Sequence, residues 1–90
     1  MVEGEKALER IFKAFANRRR VAIVRYLKNE KEASVGDIAE AIRLSLKATS
    51  KHLAILTAAD VLEREQRSVQ MFYRISGECP DIVRTLLTHL

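Results

Sequence analysis

Two predicted helices joined by only two residues constrain the fold of this chain more than any other feature. Ser34, with Asp37 three positions later, resembles a capping box and predicts the start of one helix. Ser45 is a second N-cap residue, and the helix that follows it is predicted to reach about Ala58. Only Arg43-Leu44 is left between the two helices. A connection this short predicts a helix-turn-helix.

The remaining apolar pattern surrounds this pair with two helices before it and a hairpin and a helix after it. Apolar side chains spaced i, i+3, i+4, i+7 predict the helices, and alternation after Asp60 predicts the strands. We therefore predict one mainly α (α+β) domain over residues 1–90, a winged helix-turn-helix of order α-α-α-α-β-β-α. The additional elements are residues 3–16, 17–29, 62–66, 70–75 and 81–90.

Bulk composition excludes several classes of protein. The chain has 90 residues, of which 48% are apolar, enough for one small core. A single cysteine, Cys79, rules out an intrachain disulfide and with it a disulfide-stapled secreted module. The first ten residues resemble no signal peptide, and no apolar run is long enough to span a bilayer. We expect a cytoplasmic protein without a membrane partner.

Positive charge is concentrated where local helix physics disfavours it. The formal net charge is +4, and the segment from Lys13 to Lys28, both included, contains six cations and no acid. The helix after Ser45 carries Lys47 and Lys51 near its start, where the helix dipole disfavours cations. A solvated basic face is the simpler reading of a charge run alone. Taken with the order of the helices, the pattern favours a nucleic-acid partner.

A helical wheel divides the segment from Ser45 into two faces. Thr49, Leu53 and Leu56 fall on one side with His52 beside them, and a small basic stripe falls opposite, suited to a major groove. Arginines at the start of the second predicted helix, residues 17–29, are predicted to bind flanking phosphates. Two arginines in the hairpin are predicted to contact DNA from the wing. The predicted DNA contacts are Arg18, Arg19, Arg20, Ser45, Lys47, Ser50, Lys51, His52, Arg64 and Arg67.

Three stretches resemble the ArsR/SmtB-type regulators. Ala16–Val24 resembles the family phrase A-D-P-T-R-x-x-I-L, and Leu44–Leu56 resembles L-S-Q-P-T-V-S-x-H-L-x-x-L. Val61–Arg74 lies where the family has its wing. The resemblance implies a winged-helix transcriptional regulator, usually a repressor and usually a homodimer. Such a dimer would bind a pseudo-palindromic operator in double-stranded DNA.

The chain departs from these family phrases at positions that matter for recognition. Leu46 and Lys47 stand where the family often has Gln and then Pro or Ser, and Leu46 cannot hydrogen-bond to a base. We expect fewer base contacts and more phosphate contacts. Asp60 replaces the usual glycine before the wing, and the predicted turn at the wing tip contains no glycine. The reach of the wing therefore stays open.

The first and last helices form the dimer interface in the family, and the sequence supports this. The last helix is short and carries two adjacent apolar rows, which a 90-residue monomer would struggle to cover. The alternative is that both helices only cap the core of a monomer. The residues predicted for the interface are Leu8, Ile11, Phe12, Phe15, Ile82, Val83, Leu86, Leu87 and Leu90.

Residues that could bind metal or perform catalysis are sparse. Ser34 and Gly36 occupy the positions of the family's metal-binding Cys-x-Cys pair, and Asp81 and His89 are too far apart to share a helix face. Asp81 is more simply the N-cap of the last helix, and Cys79 a packed or exposed structural residue. We predict no metal, no cofactor and no enzymatic activity. Two alternatives stay open: a winged-helix module that binds protein, and a sensor gated by a ligand or by a thiol.

Overall fold

The computed structural model describes residues 3–90, so the first two residues of the predicted 1–90 domain lie outside the described part. Residues 3–90 form five helices and a small antiparallel sheet, and the winged helix-turn-helix prediction is confirmed. The helices are α1 (Glu5–Phe15), α2 (Arg18–Glu30), α3 (Val35–Ile42), α4 (Leu46–Ala58) and α5 (Asp81–Leu87). The strands are β1 (Glu32–Ser34), β2 (Leu62–Arg67) and β3 (Gln70–Ile75).

Short polar side chains begin three of the helices, as predicted for Ser34 and Ser45. The Asn17 side-chain oxygen accepts hydrogen bonds from the backbone N–H groups of Arg19 and Arg20, at 2.9 and 3.1 Å. The Ser34 hydroxyl accepts from the N–H of Asp37 at 3.2 Å. The Ser45 hydroxyl accepts from the N–H of the residue three positions later, at 3.1 Å. Each cap satisfies donors that the helix itself leaves unpaired.

Strand β1 was not predicted from the sequence. Glu32–Ser34 pairs antiparallel with β3, so that the sheet has the order β1-β3-β2. Ala33 lies opposite Tyr73, and both are buried. Only one of the three residues of β1 is apolar, so the sequence shows no detectable alternation. The strand is stabilised by its pairing with β3 rather than by its own sequence.

The end of the chain also differs from the prediction. Pro80, and not Asp81, is the N-cap residue of α5, and the Asp81 carboxylate instead pairs with the Arg84 guanidinium at 2.8 Å. The helix ends at Leu87 instead of Leu90 because its last turn tightens. The N–H groups of His89 and Leu90 bond to carbonyls three residues back, at 3.0 and 3.1 Å.

Helices α3 and α4 both end in Schellman motifs without glycine. At the end of α3, Arg43 takes a φ of 56°, and the Leu44 N–H bonds to the Ala39 carbonyl at 3.0 Å. At the end of α4, Asp60 takes a φ of 61°, and the Val61 N–H bonds to the carbonyl five residues back, again at 3.0 Å. Glycine is the usual residue at this left-handed position. The first motif sets the sharp turn between the two helices.

The core lies between the helices and one face of the sheet, and the buried face of α4 packs against it. Within α3, Ala39 is buried and Ala41 is exposed. None of the five helices within residues 3–90 has the length and apolar character needed to cross a membrane. The largest fully buried side chains are Ile11, Ile23, Leu27, Ile38, Leu53, Leu56 and Leu62.

Candidate nucleic-acid interface

Helix α4 has the two faces that the wheel predicts. Thr49, Leu53 and Leu56 are buried against the core. The opposite side is exposed, and neither the first turn of α4 nor the rest of the segment up to Asp60 contains an acid. The exposed face therefore combines small side chains with positively charged ones. Its members are Lys47, Ser50, Lys51 and Ala54.

The start of α4 is open to solvent as well. Ser45 is exposed while its hydroxyl caps the helix, and Leu46, the first helical residue, has 59% of its surface exposed. The first-turn N–H groups, the positive end of the helix dipole and the Lys47 ammonium all lie at this end. An anion placed here would meet both backbone donors and a cation, which is how helix N-termini bind phosphates.

The three consecutive arginines of α2 lie in different surroundings. Arg18 is exposed, and Arg19 is exposed while one of its guanidinium nitrogens donates to the Ile42 carbonyl at 2.9 Å. Arg20 instead donates to the carbonyls of Ala14 and Lys13, at 2.8 and 3.0 Å. Its guanidinium therefore caps the C-terminal end of α1 and faces the protein. A cation shortly after a helix end was the available signal for this role.

His52 also faces the protein. Its side chain is half-buried, and its Nδ1 lies 3.2 Å from a guanidinium nitrogen of Arg20. Burial, and then the positive charges of Arg20 and Arg19, lower the pKa of His52 below its ordinary value. A guanidinium can only donate, so Nδ1 accepts and the neutral ring carries its proton on Nε2. The predicted DNA contacts Arg20 and His52 are thus engaged with each other.

The wing holds its predicted arginines in contrasting states. The Arg67 guanidinium bonds to the carboxylates of Glu32 and Glu65, each at 3.0 Å from one nitrogen, and lies 4.7 Å from the centre of the Phe72 ring. Arg67 lowers the pKa of both carboxylates, chiefly through these hydrogen bonds. Arg64 is exposed and forms no ion pair with any residue in the described part of the chain.

The tip of the wing ends in an apolar side chain. β2 and β3 pair up to Arg67 opposite Gln70, which leaves a two-residue turn of Ser68 and Val69. Ser68 takes a φ of 58°, a conformation that glycine adopts more readily, and Val69 is 92% exposed. The tip therefore presents neither the usual glycine nor a cation of its own.

Comparison with known proteins places this architecture in a family. The sequence profile of the bacterial regulatory proteins of the arsR family matches residues 17–64, from the cap of α2 into β2 and just over half of the chain. The chain belongs to the ArsR family. Its resemblance in sequence to ArsR-type phrases is thereby confirmed. It is a DNA-binding domain of the transcriptional-regulator type.

Solved structures of known proteins resemble 93–99% of the chain. A homodimeric winged helix-turn-helix DNA-binding domain from Mycobacterium bovis, a possible ArsR-family transcriptional regulator, is 31% identical in sequence to this chain, with a TM-score of 0.81. The match covers 93% of this chain and 75% of the Mycobacterium bovis chain. HlyU from Vibrio cholerae is 29% identical with a TM-score of 0.79, and the match covers 99% of this chain and 97% of HlyU. NolR from Sinorhizobium fredii is 27% identical with a TM-score of 0.79, covering 99% and 90%. No curated protein sequence matches the chain significantly.

In this member of the ArsR family, α1 exposes an apolar strip. Leu8, Phe12 and Ala16 line an open groove of about 470 Å³, edged by Glu5, Glu9 and Lys13. Phe12 has 51% of its surface exposed, which is high for so large an apolar side chain. The groove is a surface that a partner could cover.

The other residues predicted for the dimer interface are covered to different degrees. Ile11 and Val83 are 1% and 0% exposed within the single chain, so they offer no surface to a partner. The core of the chain already takes up most of their side-chain contacts. The remaining five are partly buried and pack against the same core: Phe15, Ile82, Leu86, Leu87 and Leu90.

The positions that correspond to the ArsR-type metal ligands have other surroundings here. Ser34 is buried and caps α3, Gly36 is exposed in the first turn of that helix, and Asp81 pairs with Arg84. Cys79 is 5% exposed and packs with the core. Across residues 3–90, no three side chains of His, Cys, Asp or Glu lie close enough together to hold a metal ion.

Proposed function

We propose that this ArsR-family chain is a homodimeric, sequence-specific repressor that binds a pseudo-palindromic operator in double-stranded DNA. In this proposal it works in the cytoplasm, without a metal, a cofactor or an enzymatic activity. The exposed face of α4 carries the proposal: a recognition helix with two lysines, small residues between them and no acid. A duplex is the polyanion whose major groove accepts a helix of this shape.

The contacts divide by chemistry. Lys47, Lys51 and the capped start of α4 at Ser45 would bind phosphates, and Ser50 would reach a base edge. Arg18 and Arg19 lie at the start of α2, where both are exposed and available to flanking phosphates. Arg64 takes the wing contact first predicted mainly for Arg67, because Glu32 and Glu65 already occupy the Arg67 guanidinium.

A second copy of the chain is the proposed occupant of the α1 groove. Glu5 lies in the first turn of α1 and Lys13 in its last turn, where Lys13 pairs with Glu9 of the same helix at 3.7 Å. Two α1 helices packed antiparallel about a two-fold axis would bring Leu8 of each copy against Phe12 of the other. The same packing brings the acidic end of each helix near the basic end of its partner, as a self-complementary interface requires. The homodimeric relative from Mycobacterium bovis supports this arrangement.

Repression without a metal rests on the family resemblance and on the ligand positions. A dimer that covers its operator keeps polymerase away, which is the usual action of an ArsR-type protein. Ser34 and Gly36 provide no thiolates, and the Ser34 hydroxyl already accepts the Asp37 N–H. The operator should therefore bind equally well with and without a metal chelator.

Fluorescence anisotropy tests the proposal. Purified protein is titrated onto DNA from upstream of its own gene and onto a scrambled fragment of equal length, at several salt concentrations, with and without chelator. We expect tight, salt-dependent binding to the upstream fragment, unchanged by chelator, and inhibition of transcription from that fragment in vitro. Equal weak binding to both fragments would overturn the specific repressor and favour a protein-binding module.

A further inference from the structure

Leu46 is the exposed residue of the proposed interface that phosphate binding does not explain. It is the first residue of α4 and has 59% of its surface exposed, in the turn that carries Lys47. Its side chain has neither donor nor acceptor. A capped, charged helix start could bind phosphates with any residue at this position, so phosphate binding gives no reason for a large aliphatic side chain here.

The position of Leu46 on the helix limits what that contact can be. Leu46, Ser50 and Ala54 follow one another at intervals of four, all exposed, and form one row along the face. Ser50 and Ala54 are small, so Leu46 projects beyond the rest of the row. In helix-turn-helix proteins the N-terminal residues of the recognition helix are the ones that contact base edges.

Only one apolar group is available on the major-groove edge of a base pair, the C5-methyl of thymine. We propose that Leu46 determines specificity by packing against thymine methyl groups in the half-site. The proposal rests on the proposed function, because it requires α4 to lie in the major groove of an operator. In this proposal, apolar packing of Leu46 against thymine takes the place of the bidentate hydrogen bonds to a base that the family's usual glutamine could make.

The experiment removes the methyl groups without changing the base-pairing. The fragment upstream of the protein's gene is amplified with deoxyuridine triphosphate in place of thymidine triphosphate, and its affinity is compared with that of the thymine fragment. We expect the uracil fragment to bind about fourfold more weakly for each methyl group that Leu46 contacts, the factor for burial of one CH₂-sized group. Leu46→Ala should weaken binding to the thymine fragment and bind both fragments equally.

Ile55→Ala is the matched control, since Ile55 is the other exposed large aliphatic residue of α4, 41% exposed and nine positions along. It should keep the preference for thymine. The proposal is overturned if the wild-type protein binds both fragments equally, or if Leu46→Ala keeps the preference. In either case specific binding of the thymine fragment over scrambled DNA would leave the repressor standing. Loss of that specificity as well would overturn both proposals.

Discussion

The guanidinium of Arg20 and the imidazole of His52 join the start of α2 to the middle of the recognition helix, with 3.2 Å between Arg20 Nη1 and His52 Nδ1. The same guanidinium donates to the carbonyls of Lys13 and Ala14 at the end of α1. One side chain therefore connects the helix proposed for dimerisation with the helix proposed for DNA recognition. The connection requires a neutral His52, because a protonated ring has no acceptor for Arg20.

Stability should therefore fall in mild acid. The folded protein lowers the pKa of His52, so below about pH 6.5 the unfolded chain binds more protons than the folded one. The stabilisation is fully present above the unfolded pKa and is lost as the pH falls towards the folded pKa. We expect the free energy of unfolding in urea to decrease between pH 7.5 and pH 5.5.

His52→Asn places an uncharged acceptor near the position of Nδ1 and should flatten this part of the pH profile. His89→Asn is the control, because His89 is the other histidine and is exposed. It should leave the profile unchanged. If His52→Asn shows the same loss of stability as the wild type, the titrating group is a different one.

Thr49 offers a second test of stability. Its side chain is 0% exposed, and its hydroxyl has no hydrogen-bond partner within the described residues. An unpaired buried hydroxyl costs about 1–3 kcal/mol, and valine has the same branched shape without it. Thr49→Val should therefore raise the free energy of unfolding by about 1 kcal/mol, or the melting temperature by about 4–8 °C.

Thr57→Val is the matched control on the same helix. The Thr57 hydroxyl donates to the Leu53 carbonyl at 2.8 Å, so its removal breaks a hydrogen bond and should bring no gain. Melting is measured at one protein concentration, because the proposed dimerisation would make the midpoint depend on concentration. A Thr49→Val protein that melts below the wild type would show that the hydroxyl is satisfied in solution.

Asp60 carries backbone strain that glycine would relieve. Its φ of 61° places a Cβ-bearing residue in the left-handed region at the end of α4. Asp60→Gly should stabilise the protein by about 0.5–1 kcal/mol, after allowance for the greater freedom of glycine in the unfolded chain. Ala54→Gly, in the helix interior, should destabilise it by a similar amount. Urea denaturation distinguishes the two, and equal losses would show that the turn is unstrained.

Local signals account for what the sequence predicted well. Asn17, Ser34 and Ser45 begin helices because each side chain bonds to a backbone N–H two or three residues away. The two faces of α4 follow from helical geometry alone. The hairpin was equally accessible, since the alternation of Met71, Tyr73 and Ile75 with Phe72 and Arg74 is a local pattern.

The features that could not be predicted from the sequence depend on contacts between distant parts of the chain. Strand β1 exists because Ala33 pairs with Tyr73, forty positions later. Arg67 is held by Glu32, 35 positions away, so its charge could not be recognised as occupied. Arg20 was assigned to phosphates because, although its place shortly after α1 was a signal for capping, nothing in its own helix shows that His52 lies against it. The site residues themselves stay predictions until DNA binding is measured.

The proposed dimer interface depends on Phe12 more than on any other side chain. Phe12 is 51% exposed and lines the α1 groove, where a carboxylate would be buried against its own copy in the proposed dimer. Phe12→Glu should shift the protein to monomer at micromolar concentration in sedimentation equilibrium and weaken operator binding. Phe12→Leu keeps an apolar side chain and should stay dimeric. A Phe12→Glu dimer of unchanged affinity would place the interface elsewhere.

Replacing a lysine of α4 should change the salt dependence of DNA binding, whereas replacing a lysine far from the proposed interface should not. A cation that contacts a phosphate releases a counterion on binding, so its removal lowers the slope of log affinity against log salt by about 0.9. Lys47→Ala and Lys51→Ala should each weaken binding and reduce this slope. Lys6→Ala removes the same charge from the exposed side of α1 and should leave the slope unchanged. Anisotropy titrations on the upstream fragment give all four slopes under the same conditions. Equal slopes for the four proteins would mean that the positive face of α4 does not contact the DNA backbone, and the proposed docking of α4 would have to be abandoned.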